Sequence, residues 1–198
     1  MARRPRRKAE ETREDILSMA ELLFRQRGFV AVSIADIATA LGMSPANVFK
    51  HFHAKIALVD AIAERHLSDV ADRFVPDDLP PREQLLRFVL RLLDSHLEDI
   101  QQNPYIFEMV LMSIEAKIEA GKRYREKVID RLEAIIRQGV AEGRYRCTDI
   151  NRAANTVADV LSSVLHPVLI AREDRDILVE RAGQIVNFAD AALQNSAC

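Results

Sequence analysis

Asn47, Lys50 and His51 stand within five residues of one another, just behind the pair Ser44-Pro45, in the run LGMSPANVFKHF. Their side chains suit recognition of a polyanion rather than bond-making. A carboxamide pairs bidentately with the edge of adenine or donates to a phosphate, and both uses are open to Asn47. Lys50, and Lys55 shortly after it, either neutralise phosphates or are solvated surface charges. His51 either meets nucleic acid or packs beside Phe52 and caps a backbone carbonyl. The chain carries no glycine-rich phosphate loop, no HExxH and no GxSxG. Its two cysteines, Cys147 and Cys198, lack metal or redox spacing, so no enzyme activity, cofactor or metal is expected.

The elements that must position these residues are short. Residues 33–52 read SIADIATALGMSPANVFKHF: an apolar-periodic segment, a glycine, a Ser-Pro pair and a second short segment. A helix of a couple of turns is marginal in water alone, so both pieces must be braced. Ser33 with Asp36 offers one N-cap, and Ser44 offers another, with Pro45 at the first helical position where its missing N–H costs nothing. If Ile34 is the first position of a two-helix unit, Ile37, Leu41, Met43 and Val48 take the fourth, eighth, tenth and fifteenth places, which must be apolar. Ala38, the fifth, lets the helices approach, and Gly42, the ninth, sits in the turn where positive φ is cheap. The packing leaves the outward face of residues 44–50 free for a major groove. Leu17, Ala20, Leu23 and Phe24, at helical spacing upstream, form the platform beneath.

Charge is distributed to match. Residues 1–55 hold ten bases and six acids, a net +4, which leaves −6 on the remainder of a chain whose formal charge is −2. A basic head on an acidic body points to a polyanion met by the head alone. The arm RRPRRK is either an unstructured solubilising tail or an arm lying in or over the minor groove. At 198 residues, with 48% apolar and 29% charged side chains and only six glycines, the chain suits an all-α globular protein. The N-terminus lacks an apolar signal-peptide core and no uninterrupted apolar run approaches membrane-spanning length, so a cytoplasmic protein away from membranes is expected.

Thr12 with Asp15 predicts the start of a first helix that runs to Gly28. Further helices are expected over 54–74, over 82–102, from 104 to about 120 with a stop at Gly121, and over 123–142 with a stop at Gly143. Another, capped by Thr148-Asp149, should reach about 171 with a kink at Pro167, and a last one should end near Gln194, about nine in all. The segment VPDDLPP, 75–81, is the clearest linker.

By this order and spacing the chain resembles the tetracycline-repressor (TetR) family of bacterial regulators. The resemblance covers residues 12–60 closely: a first helix ending in RG-F, then S-I-A-D-I-A, L-G-M-S, and V-F-K-H-F followed by K-x-x-L. It implies a homodimer with two DNA-binding heads and a helical body holding an inducing ligand. Carried over residue by residue, it makes Ser44, Pro45, Ala46, Asn47, Phe49, Lys50 and His51 the DNA contacts, with Ser33 and Lys55 on phosphates. Phe49 stands where the family commonly has a tyrosine, so that hydroxyl contact is missing, and Lys50 is the substitute. His51 replaces an aliphatic residue, which passes its packing role to Phe52. The implied division is a basic arm over 1–11, a helix-turn-helix domain over 12–53, a connecting helix over 54–74 and a ligand-binding and dimerisation domain over 75–198. The partners implied are double-stranded operator DNA, a small-molecule inducer and a second copy, with the function that of a repressor; an activator and a helical protein-interaction module are the alternatives.

In the body, His96, Tyr105, Phe107, Met109, Met112 and Ser113 follow the linker and are ligand candidates or core residues. Asn155, Asp159, Ser162 and His166 form one polar stripe, which lines a pocket, pairs across a dimer seam or faces water. Val157, Leu161, Val164 and Val168 form an apolar stripe at the same spacing. With Ile185, Phe188, Ala189 and Ala192 it is the expected dimer face, although a monomeric core would use the same residues.

Overall fold

A computed structural model describes residues 9–72, 78–102, 104, 105, 108, 109, 112 and 119–195. The arm RRPRRK, Phe107, Ser113 and residues 75–77 of the linker lie outside the described residues. Nine helices are bounded within them: α1 (Ala9–Arg27), α2 (Ile34–Ala40), α3 (Pro45–Phe49), α4 (Lys55–Asp72), α5 (Pro81–Gln102), α6 (Glu119–Ala141), α7 (Ile150–Leu165), α8 (Pro167–Ile170) and α9 (Arg175–Asn195). No strand occurs among the described residues.

Three expected boundaries move. Helix α1 already includes Ala9–Glu11, so Thr12 and Asp15 lie inside it, because alanine and two glutamates upstream are strong helix formers. Gly121 does not stop a helix; it lies in the first turn of α6, where Glu119 and Lys122 flank it. At Pro167 the chain breaks outright rather than kinking. His166 is extended (φ −73°, ψ 124°), as the residue before proline prefers, and its Nδ1 accepts the Val168 amide at 3.3 Å to start α8. That break also interrupts Ile150–Ile170, which is otherwise apolar and long enough to cross a membrane; Ala154, Leu161 and Val164 in it are spent on the protein core.

Two apolar clusters organise the molecule. The first holds Ile16, Leu17, Ala20, Leu23 and Phe24 of α1, Ile37, Ala38, Val48 and Phe52, and Leu58, Val59, Ile62 and Leu67 of α4. The second joins α5, α6, α7 and α9 around Phe88, Leu132, Ile136, Leu161, Leu178 and Val186. Met109 belongs to the first cluster although it lies far along the chain. Helix α4 therefore has its apolar face in the head while its other sides meet the body.

Candidate nucleic-acid interface

The reading unit forms as its spacing dictates. Ile37, Ala38 and Val48 are fully buried, and the Met43 amide donates to the Ala38 carbonyl at 2.9 Å across the turn. Gly42 adopts φ 63°, the left-handed region that a side chain resists, with its N–H on the Thr39 carbonyl at 3.0 Å. The capping box at Ser33 is complete: its hydroxyl oxygen accepts the Asp36 amide at 3.1 Å and its own amide donates to Asp36 Oδ2 at 2.7 Å. Those hydrogen bonds from Ser33 hold the Asp36 carboxyl below its ordinary pKa.

Over the sealed Val48, helix α3 turns Pro45, Ala46, Phe49 and Lys50 to the outside. Ser44 occupies the N-cap position yet makes no side-chain capping bond, and it is exposed. Asn47 is half-buried, its Nδ2 3.6 Å from Met43 Sδ. His51 is half-buried beside Phe52, and Phe52 is 3% exposed, so Phe52 does the expected packing. Phe49 leaves 45% of its surface to solvent, an apolar surface on the same side as Lys50.

Two expected phosphate contacts are already engaged. The Ser33 hydroxyl lies 2.5 Å from Asp36 Oδ2, and it must leave that carboxylate before it can donate to a phosphate. The Lys55 Nζ lies 4.0 Å from the centre of the Phe29 ring and donates to the Val30 carbonyl at 3.4 Å. Burial lowers its pKa, which the Asp36 charge partly opposes. Lys55 thus ties the loop before α2 to the start of α4. Sequence reading also missed Arg13, whose guanidinium sits 4.7 Å from the centre of the Phe52 ring and braces the end of the unit from α1.

The body candidates separate. His96 is 5% exposed and its Nε2 lies 2.8 Å from the Tyr124 hydroxyl, with the rings edge-to-face at 5.6 Å. Tyr105 is half-buried under Arg25 of α1, whose guanidinium is 4.9 Å from the ring centre. Its pKa is raised, chiefly by burial. Met109 is 1% exposed in the head cluster, and Met112 is half-buried. In the single chain the polar stripe is half-buried at Asn155 and His166 and open at its middle. Asp159 and Ser162 are exposed, Asp159 pairs with Arg125 at 2.9 Å, and Asn155 Nδ2 donates to the Asn151 carbonyl. His166 spends its ring nitrogen on the α8 cap.

The apolar stripe divides. Val157, Leu161 and Val164 are 8%, 1% and 0% exposed inside one chain, and Ala189 is 8% exposed. They pack the body core of their own chain, and Val157 and Ala189 also line the groove between α7 and α9. Val168 is half-buried next to α8. What remains open is the neighbouring strip: Phe188 at 72% and Val160 at 41% exposure, with Ile185 and Ala192, along a groove of about 330 Å³ between α7 and α9.

Burial pushes the His96 pKa down to about 4, with the Asp99 charge opposing the shift and the His66 charge adding to it. The folded state therefore binds fewer protons than the unfolded one between pH 4 and an ordinary histidine pKa near 6.5, so stability is lost as pH falls through that window. At pH 5 the loss from this one group is on the order of 2 kcal/mol relative to pH 7. Urea unfolding at both pH values should show a smaller drop for His96→Gln than for the unsubstituted protein. Equal drops would assign the acid sensitivity elsewhere.

Comparison with known proteins agrees with this geometry. Residues 16–62 match the family described as bacterial regulatory proteins, tetR family, and residues 81–186 match the tetracyclin repressor-like C-terminal domain. The chain is 24% identical to the probable HTH-type transcriptional regulator ArpR of Pseudomonas putida, over 98% of this chain and 95% of ArpR. It is 38% identical to the HTH-type transcriptional regulator TtgR, also of Pseudomonas putida, over 50% of this chain and 49% of TtgR. The fold matches FadR of Thermus thermophilus, a TetR-family transcriptional repressor solved with lauroyl-CoA, at TM-score 0.66 and 20% identity over 89% of this chain and 92% of FadR. With a sealed helix-turn-helix unit on an all-helical body and both parts of the family matched in order, the chain belongs to the TetR family of DNA-binding transcriptional regulators.

Proposed function

We propose that the chain is a cytoplasmic, homodimeric repressor that leaves its operator when a small molecule enters the body. The observation that carries the reading is the row Ser44, Pro45, Ala46, Phe49 and Lys50, turned outward over a buried Val48. In this reading Ser44, free of capping duty, donates to a phosphate, and Lys50 neutralises one. Asn47 reaches a base edge, with His51 beside it. Ser33 and Lys55 contribute only by exchanging Asp36 and the Phe29–Val30 loop for phosphates. Two heads then dock on half-sites one helical turn apart, or a multiple of it.

FadR is complexed with lauroyl-CoA, which supports a small-molecule site in a body of this shape. Tyr105 and Met109 pack with the cluster that holds Leu58, Val59 and Ile62 of α4, His96 lies near His66 of the same helix, and a ligand near them would bear on it. The working division has the connecting helix described over Lys55–Asp72 and starts the first helix at Ala9 rather than Thr12.

The test is recovery of bound duplex from sheared genomic DNA, followed by footprinting. A two-fold related site is expected, and retention of no fragment even in dilute buffer refutes the reading. On the recovered site, Lys50→Ala should weaken binding uniformly across sequences and flatten the log–log salt slope by about one. Asn47→Ala should cost about 1–3 kcal/mol and relax selectivity at one base pair. A Lys50→Ala protein with an unaltered salt slope removes that residue from the interface.

A further inference from the structure

Helix α4 is held by charged contacts on three sides. Toward the head, Arg65 pairs with Glu14 at 2.5 Å and with Glu21, both on α1. Toward α5, His66 Nε2 lies 2.6 Å from Asp99 Oδ2. The third contact is of another kind. Asp60 Oδ1 accepts the backbone N–H of Ala120 at 2.8 Å, and Asp60 Oδ2 lies 3.4 Å from Arg123 Nη2. Arg123 Nε is also 2.5 Å from Glu64, one turn further along α4.

Ala120 is the second described residue of α6, and its N–H is donated out of the helix to the Asp60 carboxylate. Asp60 therefore caps a body helix from a helix whose Leu58, Val59 and Ile62 are locked in the head core. Ala120 is 1% exposed, so its amide has little access to water as a replacement acceptor. The Arg65 contact joins two elements of the head and can carry nothing from the body. The His66 contact is an ion pair only when the imidazole is protonated. Helix α4 also packs along α6 more extensively than along any other helix.

We propose that Asp60 is the positioning residue through which α6 and the reading heads sense each other: its cap on Ala120 makes the tilt of α4 follow the start of α6. The inference rests on the repressor reading above and names how that repressor is regulated. Coupling of this kind is reciprocal, so whatever lets the body bias the heads must let operator DNA bias the start of α6. That removes any need for the inducer in the test.

The experiment is amide hydrogen exchange at residues 120–123 of the full chain, with and without the duplex recovered from genomic fragments. In the unsubstituted protein, duplex should change exchange at Ala120 by about fivefold or more, the lower end of ordinary coupling. Asp60→Ala should still bind duplex but lose that response. Asp60→Asn keeps an oxygen for the Ala120 amide and should retain most of it, as should Arg123→Gln, which leaves the cap in place. If Asp60→Ala does not fold, Asp60→Ser shortens the side chain out of reach while keeping it polar. An Ala120 amide indifferent to duplex, a response that survives loss of the carboxylate, or an Asp60→Asn protein as silent as Asp60→Ala overturns the inference. Failure to recover any duplex appears before any Asp60 variant is made; it refutes the repressor reading, and this inference falls with it.

Discussion

Phe24→Ala should weaken operator binding while leaving the body folded. Phe24 is 1% exposed in the middle of the head cluster, and its ring stands edge-on to Phe29 at 5.4 Å between centres. Phe29 in turn carries the Lys55 ammonium that ties the pre-α2 loop to α4. Truncating a buried phenylalanine costs about 3–5 kcal/mol, and the lost aromatic pair is part of that cost. A small domain has only about 5–15 kcal/mol in total, and the head core is the smaller of the two clusters. The head should therefore open at denaturant concentrations that leave the body intact, splitting one unfolding transition into two. Hydrogen exchange should collapse at Ile37, Ala38 and Val48 and persist at Leu132 and Ile136. Operator affinity should fall in proportion to the fraction of heads left folded, since about 3 kcal/mol is a factor of more than 100 in the folded-to-unfolded ratio. A variant that binds operator normally and unfolds in one unshifted step would show that the platform beneath the reading unit is not what holds it.

How much of this was legible depends on whether a signal is local. The capping box at Ser33–Asp36 and the proline at the start of α3 are set by residues within one turn, and both form as the spacing requires. The start of α1 was misplaced because a capping pattern at Thr12 competes with helix formers just upstream, and a cap signal cannot say that the helix has not already begun. Gly121 misled for a related reason. A helical glycine costs about 1 kcal/mol, which the trans cap from Asp60 and the packing of Ala120 outweigh. Nothing in a 60-residue separation could have announced that cap. Lys55 carried the right side chain for phosphate, but no spacing rule reveals that Phe29 had already claimed it; at Ser33 the capping box was itself the sign that Asp36 holds the hydroxyl. The stripe Val157, Leu161, Val164 is apolar as read and buried within its own chain, since periodicity says a face is covered and not by what.

That last distinction decides the second large expected effect, at Phe188. A phenylalanine 72% exposed beside Val160, Ile185 and Ala192 gains nothing from the fold of its own chain. Phe188→Glu should leave single-chain stability within about 0.5 kcal/mol, as exposed substitutions do. If this strip is the seam between two copies, each copy contributes a large apolar anchor, and replacing both with carboxylates removes burial worth about 1.5–3 kcal/mol apiece and leaves charges with no partner. Sedimentation should then report a monomer at concentrations where the unsubstituted protein is a dimer. The operator consequence follows from tethering. Two joined heads make the second docking event intramolecular, and losing the join should weaken binding to a full site by about 10²–10⁴-fold. Binding to an isolated half-site should be unaffected, because one head reads it alone and Phe188 is far along the chain from α3. The pair of measurements separates the explanations: loss at both sites means a damaged head, loss at the full site alone means a broken seam. A Phe188→Glu protein that stays dimeric and grips the full site as before would move the seam off the α7–α9 strip altogether.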